Sequence, residues 1–210
     1  MTGSDGRPGD RPMLIDIVVY DGIDEMDAWG PAEVFRSAAR LDSRVAVRLV
    51  TPAPQPMVTG AYGLRFLPDG TFQPGAADVL VVPGGGWAAR AEQGAWGEVQ
   101  RGRLLPLLRQ ARAGTPLVTA VCTGTMLLAH AGIVGARRAA THHSAWGDLA
   151  ATGATVVRER VVDDGDLVTS GGVTSGLDLA LWIVERELSP AVADAVADRM
   201  EYRRTPPAGA

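Results

Sequence analysis

The feature that most constrains this chain is a set of short, unbroken apolar runs: MLIDIVVY at 13–20, DVLVV at 78–82 and TPLVTAV at 115–121. Each leads into a turn followed by a helical pattern. A strand that is almost continuously apolar, rather than alternating, is buried on both faces, as in a parallel sheet held between helices. VAVRLVT at 45–51 alternates and reads as a fourth strand. Strands separated by helices in this way predict a doubly wound α/β architecture.

The intervening segments fill in that expectation. Pro31 stands where a helix accepts proline most readily, at its first position, and PAEVFRSAARL continues with helical spacing. Residues 95–113 read as one amphipathic helix closed by Gly114, and 123–131 as a short apolar helix stopped by Gly132. A short strand at 139–142, a helix at 145–152, an apolar helix at 174–188 and a last helix over 190–201 follow. Residues 155–162 and 167–170 flank Asp163-Asp164-Gly165-Asp166 and predict a hairpin. The Pro- and Gly-rich stretch 52–73 predicts only short extended pieces. With no internal repeat and no linker, the expectation is one flavodoxin-like domain over 13–202. A polar leader at 1–12 and a tail at 203–210 flank it.

Composition narrows the function classes. With 210 residues, 46% of them hydrophobic, the chain has enough apolar surface for one continuous core. A net charge of −4, with Arg, Asp and Glu interleaved, gives no basic field for nucleic acid. The single cysteine, Cys122, excludes an intramolecular disulfide. No run approaches the roughly 18 apolar residues of a membrane span, and the leader lacks the apolar core of a signal peptide. The sequence therefore predicts a cytoplasmic protein acting on a small molecule, with neither nucleic acid nor membrane as partner.

Ligands of open parallel sheets bind beyond the carboxyl ends of the strands. Four segments lie at such ends: the acidic turn with Asp24, Glu25 and Asp27, the turn Pro83–Gly86, Cys122-Thr123-Gly124, and Ser170–Gly172. Cys122 sits between a strand and a helix, a strand-to-helix elbow where backbone N–H groups favour an anion and a thiolate nucleophile. A small buried cysteine packed on the sheet is the plain alternative. Glycines such as Gly85 and Gly86 allow backbone N–H groups to approach a ligand, as an oxyanion hole requires, and Gly172 marks a further turn at the same edge. The glycines match neither a dinucleotide fingerprint nor a P-loop. Among the three histidines, His130 lies about two helical turns past Cys122, too far for contact. His142 can approach the cleft, His143 then points away, and the pair lacks companions at metal-ligand spacing. A carboxylate from the acidic turn is the better acid–base candidate.

VYDGIDEMDAWGPAEVF, DVLVVPGGG, VTAVCTGTMLLAHAGIVGARRAATHH and LVTSGGVTSGLDLAL, in this order, resemble the ThiJ/PfpI superfamily, which has a class I glutamine amidotransferase-like fold. The resemblance spans nearly the whole chain. Within that superfamily the chain is most similar to the isonitrile hydratases, which add water to an isonitrile to give an N-substituted formamide. Their V-C-T-G motif matches Val121-Cys122-Thr123-Gly124, and their D-x-x-G-P motif matches Asp27-Ala28-Trp29-Gly30-Pro31. The resemblance implies Cys122 as nucleophile, Asp27 rather than Asp24 or Glu25 as the acid–base group, and Thr123 as a helper. It implies Gly85 and Thr123 N–H groups as donors to developing negative charge, a homodimer, and no metal or organic cofactor. Thr141-His142-His143 and Ser170-Gly171-Gly172 stand where T-H-W and G-G-G are frequent, and Trp29 is a bulky neighbour of the acid. Other readings are a glyoxalase- or deglycase-like enzyme using Glu25, and a ligand or redox sensor. The sensor would be related to the amidotransferase-like domains of AraC-type regulators, without their C-terminal DNA-binding module.

Overall fold

A computed structural model describes residues 11–207. The strands are β1 (Met13–Val18), β2 (Val45–Thr51), β3 (Val58–Thr59), β4 (Arg65–Phe66), β5 (Gly70–Thr71), β6 (Val79–Val82), β7 (Leu117–Ala120), β8 (Arg138–Ala139), β9 (Thr155–Val156), β10 (Val161–Asp163) and β11 (Leu167–Ser170). The helices are α1 (Glu25–Leu41), α2 (Ala95–Arg101), α3 (Leu104–Gly114), α4 (Gly124–His130), α5 (Trp146–Ala151), α6 (Ser175–Glu187) and α7 (Pro190–Arg199).

The main sheet has the order β10-β11-β7-β6-β1-β2-β5, parallel except where β10 meets β11. Its strands β6, β7 and β11 are buried along their whole length, as their unbroken apolar sequences demand. Helices α1, α6 and α7 pack together on one face, and α2 to α5 on the other. The central order, β2-β1-β6-β7-β11, is the doubly wound arrangement in which chain direction across the sheet reverses between β1 and β6. The loops after β1, β6, β7 and β11 thus gather beside that reversal.

Three local expectations are corrected. Helix α1 begins at Glu25 rather than Pro31, because Asp24 caps it by accepting from Met26 N–H (3.1 Å). Pro31 lies inside the helix, where its ring packs against Gly176 of α6 and tertiary contact overrides the local penalty. The helix expected at 95–113 is two helices, broken at Gly102, which takes the left-handed φ of 68°. The hairpin forms only over β10 and β11; residues of β9 pair instead with β8, in parallel, as a separate two-stranded sheet.

The described part of the predicted leader and tail is held by contacts. Arg11 makes a bidentate pair with Asp78 (both 2.6 Å). Arg204 pairs with Glu185 and Asp194, and Thr205 N–H donates to Asp178 (2.6 Å). Residues 1–10 and 208–210 lie outside the described residues. Among the described residues no helix is long and apolar enough to cross a membrane.

Candidate active site

Cys122 follows β7 with φ at 58°, the left-handed region that a non-glycine residue enters only when its surroundings hold it there. Those surroundings are identifiable. Its N–H donates to Gly171 O (2.9 Å) and Ser170 O (3.2 Å), and its carbonyl accepts from Thr141 Oγ1 (2.9 Å). Gly124 behind it lets α4 start against the sheet: a Cβ there would stand 1.9 Å from Val82 O. The elbow is therefore fixed by three neighbouring loops before any ligand arrives.

The thiol is buried, 5% of the residue being exposed. Burial, and then the negative charge of Asp27, push it well above its usual range. Backbone N–H groups of Val173 and Thr123 pull it down, and lose. Asp27, on the first turns of α1, is fully buried. Burial first, then the charge of Asp24, hold its carboxyl well above the ordinary range, against the hydrogen bond from Gly84 N–H and the proximity of the Cys122 thiol. Oδ2 accepts from Gly84 N–H (3.0 Å), whereas Oδ1 is buried with no partner of ordinary hydrogen-bond geometry, the thiol included. The two groups thus sense each other electrostatically without a formed bond between them. Such a pair titrates as a unit and retains a proton where an isolated carboxylate has lost its own.

The glycine turn after β6 closes one side. Tyr20 Oη donates to Pro83 O (2.6 Å) and steadies that turn from below. Gly85 N–H, expected as a free donor to developing charge, instead donates to Thr123 Oγ1 (2.9 Å). The turn therefore orients the Thr123 hydroxyl. The backbone N–H groups that favour charge on the sulfur are those of Thr123 and Val173, which lower the thiol's pKa. Sequence reasoning missed Val173, a β-branched residue at φ 42°, for which no local sequence signal exists. Gly86 adjoins the same turn but borders a different cavity, with Asp21, Thr59 and Gln93.

His142 is half-buried against Gly172, where a Cβ would lie 2.3 Å from the ring. Its Nδ1 meets Ser144 Oγ (2.8 Å), and the ring stacks at 4.1 Å on the exposed His143. Burial lowers its pKa, and His143 lowers it further. No hydrogen bond joins His142 to Cys122 or Asp27, so it forms wall rather than catalytic pair. His130 is exposed and packs against Trp87. Trp29 does not crowd the acid; it stacks on Phe66 of β4 at 4.6 Å. Glu25 is also turned from the thiol: its Oε1 accepts from Tyr62 N–H (2.8 Å) and Leu64 N–H (3.2 Å). Among the described residues no cluster of three His, Cys, Asp or Glu side chains is arranged to hold a metal ion.

The model of the DJ-1/PfpI family matches residues 13–186. An isonitrile hydratase of Pseudomonas putida is 31% identical over 196 residues, 93% of this chain and 81% of its own length. A transcriptional regulator of Pseudomonas aeruginosa, GbdR, is 29% identical over 92% of this chain, which spans 52% of that longer protein. The crystal structure of a ThiJ/PfpI family protein from Pseudomonas syringae superposes with a TM-score of 0.82 at 28% identity, covering all of this chain and 85% of that one.

Proposed function

This chain belongs to the DJ-1/PfpI family, and we propose that it is a cysteine-dependent hydratase that converts isonitriles to N-substituted formamides. The observation that carries the reading is the buried Cys122–Asp27 pair, in which a strained thiol faces an acid with one unpartnered oxygen. The likeness to an isonitrile hydratase over 93% of the chain supports the same chemistry.

In this reading Cys122 Sγ attacks the terminal carbon of R–N≡C, and the thiol proton passes through Asp27 to that carbon. The product is a thioimidate, Cys–S–CH=N–R, with one C–S and one C–H bond formed. The Thr123 and Val173 N–H groups stabilise the sulfur while it carries charge. Water then adds to the imidate carbon, delivering one proton to nitrogen. The C–S bond breaks, the thiol regains its proton, and R–NH–CHO leaves. Atoms balance as isonitrile plus water, so the sequence needs no cofactor. Asp27 suits the shuttle because its raised pKa makes it a readier proton acceptor than an ordinary carboxylate. We place the enzyme in the cytoplasm as a homodimer, with a small molecule as its only other partner.

The test is formamide production from cyclohexyl isonitrile by wild type and Cys122→Ala. Turnover that vanishes in the variant supports the assignment; fully reduced wild-type protein without turnover removes it. The glyoxalase-like alternative required Glu25 as the acid, and the Glu25 carboxylate is engaged by the 62–64 backbone.

A further inference from the structure

The turn between β3 and β4 is stapled to the start of α1, the helix that carries Asp27. Besides the two bonds to Glu25 Oε1, Ala61 N–H donates to Ile23 O (2.8 Å) and Gly22 N–H to Thr59 O (2.9 Å). Gly60 lies so close to Glu25 that a Cβ there would stand 2.4 Å from Oε1. Glu25 Oε2 is buried and has no hydrogen-bond partner. Among the described residues only Asp27 shares that condition, and both sit on the first turn of one helix.

The stapled turn borders a shallow, open cavity of about 320 Å³ lined by Asp24, Glu25, Met26, Tyr62, Leu64 and Val173. Val173 follows the Ser170–Gly172 turn, whose Gly171 carbonyl accepts from Cys122 N–H (2.9 Å), so the cavity lies beside the nucleophile's elbow. Its walls are apolar where they are side-chain surface: Met26 and Leu64 are 42% exposed and Tyr62 84%. Its charged rim is acidic, from Asp24 and Glu25, with no cation lining it. A cavity of this kind favours an uncharged apolar group and repels a carboxylate.

We propose that Glu25 is a positioning residue that holds the 60–64 turn as the wall of the substrate site, and that this cavity takes the apolar, uncharged substituent of the substrate. The substrate class rests on the hydratase reading; the wall does not. Glu25→Ala removes the acceptor for both N–H groups, whereas Glu25→Gln keeps a carbonyl oxygen for them. With cyclohexyl isonitrile, Glu25→Ala is expected to raise KM about tenfold with kcat little changed, while methyl isonitrile, too small to reach the wall, shifts less than about twofold. Glu25→Gln restores the cyclohexyl KM to within about threefold. Isocyanoacetate is a poor substrate for all three proteins.

A second readout does not depend on turnover. Cys122 is the one thiol of the chain, so its alkylation by N-phenylmaleimide and N-methylmaleimide compares an apolar with a small substituent on one reactive group. The phenyl-to-methyl rate ratio, relative to free N-acetylcysteine, is expected to be elevated in wild type and Glu25→Gln and to fall to unity in Glu25→Ala. A wild-type ratio of unity, an unreactive Cys122, or a ratio unchanged in Glu25→Ala overturns the proposal. Loss of isonitrile turnover with the alkylation pattern intact removes the hydratase reading and leaves the wall standing.

Discussion

Three aspartates in this fold are as buried as any leucine, and they lie in two kinds of region. Asp16 on β1, beneath the sheet's flank, receives both Nε and Nη2 of Arg48 at 2.9 Å. Asp178 on α6 receives Arg160 (2.6 Å), Tyr202 Oη (3.0 Å) and Thr205 N–H (2.6 Å). Asp27, at the carboxyl edge of the sheet's centre, receives one backbone N–H and leaves an oxygen bare. Burial is the same; the partners differ. A buried carboxylate surrounded by donors has its hydrogen-bond capacity filled and serves the scaffold. One deprived of them keeps its proton longer and is available for chemistry. The lesson is that burial alone does not mark an acid as functional; the unfilled hydrogen-bond capacity does.

Substitutions that trade these conditions can break the comparison. The largest effect is expected at Asp27→Asn, which preserves shape and an acceptor for Gly84 N–H but cannot shuttle a proton. Formamide production per folded molecule should fall by about 10²- to 10⁴-fold, the range of general acid–base contributions. Activity within tenfold of wild type would place the proton elsewhere. Next comes Arg48→Met, which leaves Asp16 fully buried without its counter-ion. Urea unfolding should show a loss of about 3 kcal/mol, at the low end for breaking a buried pair because the Arg48 side chain is 37% exposed. Catalysis by the folded fraction should remain at wild-type level. A loss under about 0.5 kcal/mol would mean that Asp16 finds other partners.

The contrast also explains how far the sequence could be read. Apolar periodicity reports burial, so β1, β2, β6, β7, β11 and the order of helices between them were legible from residues 13 to 202. The strand ends that carry Cys122 and Asp27 were legible for the same reason. What was not legible depends on partners distant in sequence. Pro31 suggested a helix start because the Asp24 cap and the contact with Gly176 are tertiary facts. Gly102 gave no sign that its left-handed φ would split a helix, since a lone glycine is compatible with continuation. At the site, Val173 was invisible because its positive φ is imposed by the fold rather than invited by its side chain. Glu25 was weighed as an acid because its hairpin partners, Tyr62 and Leu64, donate through backbone that no residue type reveals.

The finest test concerns the thermodynamic cost of leaving Asp27 bare. Its native pKa lies well above the ordinary carboxylate value, chiefly through burial. Below the ordinary value both folded and unfolded chains carry the proton, and the site costs nothing. As pH rises from there toward the native pKa, the unfolded chain releases its proton while the native site resists. Native stability therefore falls through that window and stays lowered above it. Asn has no proton to release, so Asp27→Asn should be more stable than wild type near pH 7, by about 1 kcal/mol, as is common when a strained functional group is removed. The two proteins should converge near pH 3.5. Chemical denaturation at both pH values measures the difference directly. A variant less stable than wild type near pH 7 would show that Oδ1 is satisfied in solution, which would put Asp27 among the structural carboxylates with Asp16 and Asp178.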